Sequence, residues 1–206
     1  RWRYFGPAPL IEDNSVRFAL GHYDHAKPLT IDPSVSLNNL AFSTFLGGSG
    51  NDQALAVAAD ALGNVYVTGF TQSVAFPTTA GVFDGTYAAN DDVFVTKLNG
   101  SGGSLIYSTF IGGTGSEQGR AIAIDRNGNA FLSGQTTSSG FPVTAGSFDT
   151  TYNGSSEAFV LKLNAGGTAL VYSSFLGSSG YDEAFGVAID SSSNVYVTGR
   201  TADGAQ

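Results

Sequence analysis

The chain repeats itself with a fixed step. Phe42, Tyr107 and Tyr172 open the phrases FSTFLGGSGND, YSTFIGGTGSE and YSSFLGSSGYD, and both steps are 65 residues (107 − 42 and 172 − 107). The register never slips. Asp60, Asp125 and Asp190 share one phase, Asn64, Asn129 and Asn194 a second, Gly69, Gly134 and Gly199 a third, and Phe76-Pro77 aligns with Phe141-Pro142. A fixed period of this length means a repeat architecture, in which each unit is one supersecondary element that buries its faces against its neighbours.

Four strand-like segments occupy each period. Residues 54–60 (ALAVAAD), echoed by GRAIAID and AFGVAID, alternate Ala or Gly with larger apolar residues, so that one face lets neighbouring backbones approach closely. Residues 64–70 (NVYVTGF) follow after the turn ALG, where Gly63 and Asn64 tolerate positive φ, and the two segments make a hairpin. Residues 92–98 (DVFVTKL) and 157–163 (EAFVLKL) are apolar on both faces, as in a strand covered by sheets on each side. Residues 104–111 (SLIYSTFI) follow the turn NGSGG. Four antiparallel strands in up-and-down order form a β-propeller blade. The period exceeds the roughly 40–45 residues of a WD-type blade, and the excess lies in 71–91. There Phe83 and Tyr87 share their phase with Phe148 and Tyr152, which predicts a packed excursion. Composition agrees with an all-β chain: 28 Gly, 15 Phe and 9 Tyr, with 13% charged residues and 42% hydrophobic ones, enough for a core.

The stretch YSTFIGGTGSEQGRAIAIDRNGNAFLSGQTTSSGFPVTAGSFD resembles the SBBP family of β-propeller repeats, through its GG, D-x-x-G-N, T/S-G and FP-x-T-x-G-x-F elements. The resemblance runs from Leu40 to the C-terminus. It implies a propeller fold and a place in a large secreted or surface protein. Upstream, VRFALGHYDHAKPLTIDPSV is similar to the tail of the β-rich domain that often precedes such repeats. The expected organisation is therefore a β-rich segment at 1–39, a leading strand at 40–46, blades at 54–111 and 119–176, and a half-blade at 184–200.

Propellers close with typically about 4–8 blades, and these units cannot close a ring by themselves. A half-blade leaves the ladder edge of NVYVTGR unpaired. The chain reads as an excerpt of a longer protein, or as a subunit whose open edges pair with other copies by strand addition. Its expected partners are further blades of the same protein or of other copies, with a glycan or surface protein as ligand.

Other classes are disfavoured. A net charge of −8 and the lack of a basic stripe oppose binding to a phosphate backbone. No apolar run reaches the roughly 20 residues of a membrane helix. Without cysteine there is neither a disulfide framework nor a thiolate metal site.

Candidate sites were weighed against plainer roles. Asp52, Glu117 and Asp182 follow the glycine phrase at one phase, where a ring of carboxylates at a channel mouth could bind a cation or polyol, against the alternative that each caps backbone N–H groups in its own turn. Asp125, Asn127 and Asn129 (DRNGN) carry oxygen ligands at alternate positions like the opening of a calcium loop. The downstream Glu is missing, the sister turns DALGN and DSSSN lose the middle ligands, and a β-turn accounts for the residues without metal. His22, Asp24 and His25 in HYDH fit a surface turn better than a metal site. No cofactor other than calcium is raised. No His falls within a repeat, so no serine triad is assembled, whereas Asp84, Asp149, Glu157 and Asp182 could converge as a carboxylate pair for glycoside hydrolysis. Lys97 and Lys162 are expected to lay their stems along the sheet. The reading is a non-enzymatic extracellular or cell-surface propeller scaffold or binding module, with a carbohydrate-active propeller and a self-assembling fibre subunit as alternatives.

Overall fold

A computed structural model describes residues 10–12, 15–17 and 42–202. HYDH, and Leu40 and Ala41 of the expected leading strand, lie outside the described residues. The chain divides into two units, 1–41 and 42–206. In the first, β1 (Leu10–Glu12) pairs antiparallel with β2 (Ser15–Arg17).

The second unit is built of antiparallel sheets, and no helix occurs among its described residues. One four-stranded sheet runs β3 (Asp52–Ala59), β4 (Val65–Thr71), β5 (Asp92–Leu98) and β6 (Leu105–Ile111) in spatial order. The next runs β7 (Glu117–Ile124), β8 (Ala130–Thr136), β9 (Glu157–Leu163) and β10 (Leu170–Leu176). A two-stranded sheet follows, β11 (Glu183–Ile189) with β12 (Val195–Arg200). These are two complete blades and half of a third, in the strand order read from the sequence. The first strands of the two complete blades start two residues earlier than the apolar pattern marks, so Asp52 and Glu117 are strand residues. Residues 42–48 form no strand, because the described residues offer no neighbour with which the expected leading strand could pair.

Turn chemistry fixes each hairpin. Asp60, Asp125 and Asp190 each accept from the backbone N–H groups two and four residues on, at 2.8–3.0 Å. Their second oxygens take the Asn side chain of the same turn at 2.7–2.8 Å. Gly63 and Gly128 hold φ near +80°, which an L side chain rarely adopts, and this locks the short loops.

The long excursion is packed, as its recurring aromatics predict. In the first blade Thr79 N donates to Ser108 O and Phe110 N to Asp84 O, at 3.1 and 2.9 Å. In the second, Thr144 N donates to Ser173 O and Phe175 N to Asp149 O, both at 3.0 Å. Each excursion thus covers the outer strand of its own blade, satisfying backbone groups that would otherwise form a sticky edge. Phe76 packs on Phe94 with centroids 4.7 Å apart, and Phe141 stacks on Phe159 at 4.6 Å.

The anchors are not equivalent, however. Phe83 is half-buried and its N–H donates to Gly167 O, in the β9–β10 turn of the second blade. Phe148, at the same phase, is 83% exposed. No described turn covers it as the β9–β10 turn covers Phe83.

The main core spans both blades: Tyr66, Val93, Val95, Tyr107 and Ile111 of the first join Leu132, Phe159, Leu161 and Phe175 of the second. Small residues of β3, Ala56 and Ala58, pack against it as their alternation predicts.

Candidate functional site

The described chemistry concentrates where one blade meets the next. The outer strand of a blade ends in the glycine phrase, which crosses to the inner strand of its neighbour. Isolated parallel bridges link Asp91 with Ser116 and Ser156 with Tyr181, and Glu117 N donates to Asp91 O as Asp182 N does to Ser156 O, at 2.8 and 2.9 Å. The same stitch is made twice, one period apart.

Each acid of the glycine phrase caps its own loop. Asp52 accepts from Gly48 N at 2.7 Å, from Ser73 Oγ at 2.9 Å and from Thr71 Oγ1. Glu117 accepts from Gly113 N and Thr136 Oγ1, both at 2.9 Å, and Asp182 from Ser178 N at 2.8 Å. Among the described residues no group of three or more His, Cys, Asp or Glu side chains could hold a metal.

Instead each junction brings two acids together, one from either blade. A Cβ on Gly112 would lie 2.7 Å from Asp92 Oδ1 and 2.9 Å from Glu117 Oε2. One on Gly177 would lie 2.9 Å from Glu157 Oε2 and closer still to Asp182 Oδ2. This explains the glycine at that phase: a side chain would occupy the space the carboxylates share. Asp92, Glu117, Glu157 and Asp182 are all buried. Of the four acids raised from sequence as a hydrolytic pair, Glu157 and Asp182 do meet. Asp92 was missed, since in sequence it is merely the first residue of an apolar strand.

Burial dominates the electrostatics. It pushes Asp92 up to about 6 and Glu117 up to about 7, against hydrogen bonds from Ala88 and Ala89 at the first and from Gly113 and Thr136 at the second, with neighbouring acids adding to both shifts. Burial likewise lifts Glu157, opposed by Asn153 N and assisted by Asp149 and Asp182. An acid raised in the folded state binds its proton more tightly folded than unfolded. These groups therefore contribute no penalty below their ordinary values of 3.8 and 4.5, and cost stability as pH rises toward their folded values. Tm is expected to fall steadily between about pH 4.5 and 7, and Glu117→Gln to flatten that slope. Thermal melts across this range are the check, and a Tm that rises with pH would contradict the assignment.

Asp125, Asn127 and Asn129 are held together by the turn itself. Both Asp125 oxygens are taken by the turn, Asn129 Oδ1 accepts from Ala165 N at 3.1 Å, and Lys162 Nζ lies 3.5 Å from Asp125 Oδ2. Burial works to raise Asp125, but the Asn129 side chain, the backbone N–H groups and Lys162 outweigh it and leave the carboxyl lowered. Lys97 repeats the arrangement on Asp60 at 3.6 Å, and both ammonium groups sit over aromatic rings, Lys97 over Tyr66 and Lys162 over Phe131. These lysines lie along the sheet as expected, with the turn acid as partner.

No curated protein matches the chain. A family model does: SBBP, described as a beta-propeller repeat, matches residues 106–142 and 171–203. Each match begins in the outer strand of one blade, crosses the glycine phrase and its acid, and ends past the inner hairpin of the next, so the matched unit is centred on the junction. Residues 106–142 and 171–203 thus match the SBBP β-propeller repeat, and each matched unit joins one blade to its neighbour.

Proposed function

We propose that this protein is a non-enzymatic propeller scaffold or binding module, acting outside the cell or at its surface, and that its open end is covered by a further blade of the same repeat. The observation that carries the reading is a difference in burial at equal phase. Tyr107 is buried at the first junction, with its ring against Gly167 of the next blade's turn. Its counterpart one period on, Tyr172, is 36% exposed and lines a groove of about 550 Å³ with Phe131, Lys162, Ser193, Val195 and Val197. Every residue of β12 is exposed, and so is Phe148. A third and fourth strand added to β12 would fill this groove as β9 and β10 fill the first junction. Strand addition to an open edge supplies the hydrogen bonds, and the groove supplies the register. Support for an extracellular or surface location comes from the resemblance to repeats of secreted and surface proteins.

A carbohydrate-active role is not favoured by the paired acids, because all four are buried where a glycan cannot reach. The test is sedimentation velocity over a wide concentration range, together with a reducing-sugar assay against a glycan panel. The chain is expected to self-associate, Phe148→Glu combined with Val197→Glu to suppress this, and no sugar to be released. A monomer at all concentrations, or turnover of any glycan, would overturn the proposal.

A further inference from the structure

Three Asn-Gly pairs occur in the chain, at 99–100, 127–128 and 153–154. Glycine has no Cβ to shield its nitrogen, so in such a pair the backbone N–H that follows the asparagine can attack the side-chain amide carbon. The attack has two requirements. The nitrogen must be free to lose its proton, and the amide oxygen must be met by donors, because it takes up negative charge as the carbon becomes tetrahedral. Asn99 satisfies both. Gly100 is exposed, and its N–H donates to no described residue. Asn99 Oδ1 accepts from Gly103 N at 3.0 Å, from Ser101 Oγ at 3.1 Å and from Ser104 N at 3.3 Å.

Each of the other candidates lacks a requirement. Gly128 N donates to Asp125 O at 2.9 Å. Gly154 N is turned to the Glu157 carboxylate, which also holds Asn153 N at 2.6 Å, and an anion there opposes loss of the proton. The Asn153 amide is engaged through its nitrogen instead, on Thr151 O at 3.1 Å and Asp149 Oδ2 at 3.4 Å. Asn164 is the informative comparison, because it stands at the phase of Asn99 in the matching turn of the second blade. Its Oδ1 is met in the same way, by Thr168 N at 2.8 Å and Ala169 N at 3.4 Å. Ala165 follows it, however, with a Cβ beside the nitrogen and its N–H donated to Asn129 Oδ1 at 3.1 Å. The same turn is reactive in one blade and protected in the other.

We propose that Asn99 is a self-modification site, converting to aspartate and isoaspartate without an enzyme. Gly100 N gives its proton to hydroxide or water and bonds to Asn99 Cγ, an intramolecular step; the Cγ–Nδ2 bond then breaks, and Nδ2 leaves as ammonia with a proton from water. Water opens the resulting succinimide at either carbonyl, so one water is taken up for each ammonia released. The product adds a negative charge to the β5–β6 turn, and the isoaspartyl form also adds a backbone atom. That turn seats Phe42, whose ring lies where a Cβ on Gly102 would fall, as Gly167 seats Tyr107. The inference does not depend on the scaffold reading, and its failure would leave that reading intact.

The test holds the full chain in mildly alkaline buffer, native and in urea, and follows each asparagine by protease digestion and tandem mass spectrometry, reading the change from amide to acid and the isoaspartyl linkage. In urea the three Asn-Gly pairs are expected to convert at similar rates. In the native chain Asn99 should convert at least about tenfold faster than Asn127 or Asn153, the rate equivalent of one net hydrogen bond, and Asn164 should stay intact. Gly100→Ala should slow Asn99 by at least about tenfold, through its Cβ. Ser101→Ala removes one of the three donors and should slow the native chain but not the chain in urea. Either variant serves if the other fails to fold. Equal native rates at the three pairs, faster conversion of Asn127 or Asn153, an Asn99 protected in the native chain as strongly as those two, or a native rate untouched by both variants would each overturn the site.

Discussion

Gly134→Ala is expected to destabilise the second blade by about 3 kcal/mol or more, the upper end of what inserting a methyl group into a packed interior costs. Gly134 lies in β8 opposite Gly119, where the β7 register shifts between Gly119 and Ala121. The bulge drives the Gln118 carbonyl toward it. A Cβ would fall almost on that oxygen, and 2.9 Å from Phe159 Cζ. Backbone cannot yield as a flexible side chain can, so the ladder would have to open. Gly69 and Gly199 meet the carbonyls of Gln53 and Glu183 in the same way. Gly85→Ala is the control, because its nearest neighbour would be Thr78 Oγ1 at 4.0 Å, and a change within about 0.5 kcal/mol is expected. Urea unfolding of the two variants beside the parent measures the difference. Equal stabilities would contradict the bulge.

Phe159→Ala is expected to cost about 3–5 kcal/mol, the range for truncating a buried Phe. Its ring is fully buried in the core shared by the two blades and stacks on Phe141. Truncation therefore removes an aromatic pair, worth about 0.5–1.5 kcal/mol beyond its area, and opens a cavity between sheets that cannot collapse independently. Phe148→Ala should change stability by no more than about 0.5 kcal/mol, since that side chain is exposed. Equal losses at the two positions would mean that the excursion of the second blade is packed differently from what is described here.

Strand order was legible because the information is local: alternation of Ala with larger apolar residues, Gly63 and Asn64 at a turn, apolar residues on both faces of 92–98. Lys97 and Lys162 followed from the same local pattern. The junction was legible only by halves. The repetition of Asp52, Glu117 and Asp182 marks a structural acid, but the partner of Glu117 is Asp92, 25 positions earlier and embedded in a strand, and nothing local links them. The glycine phrase suggested a turn. At Gly112 and Gly177 its reason is a carboxylate pair arriving from two blades. The difference between Phe83 and Phe148 was likewise invisible, because phase is a property of the repeat while burial depends on which neighbour is present.

The central claim is that successive 65-residue units stand as blades joined by one recurring stitch. Since the chain has no cysteine, engineered pairs report on it without interference. Asp91 with Ser116, and Ser156 with Tyr181, face each other across the two junctions as parallel bridge partners. Neighbouring strands lie about 4.8 Å apart, within the roughly 4.4–6.8 Å that a disulfide spans. Under mild oxidation both double-cysteine chains are expected to form the intramolecular bond quantitatively while remaining folded. If neither pair closes, the units do not meet as blades.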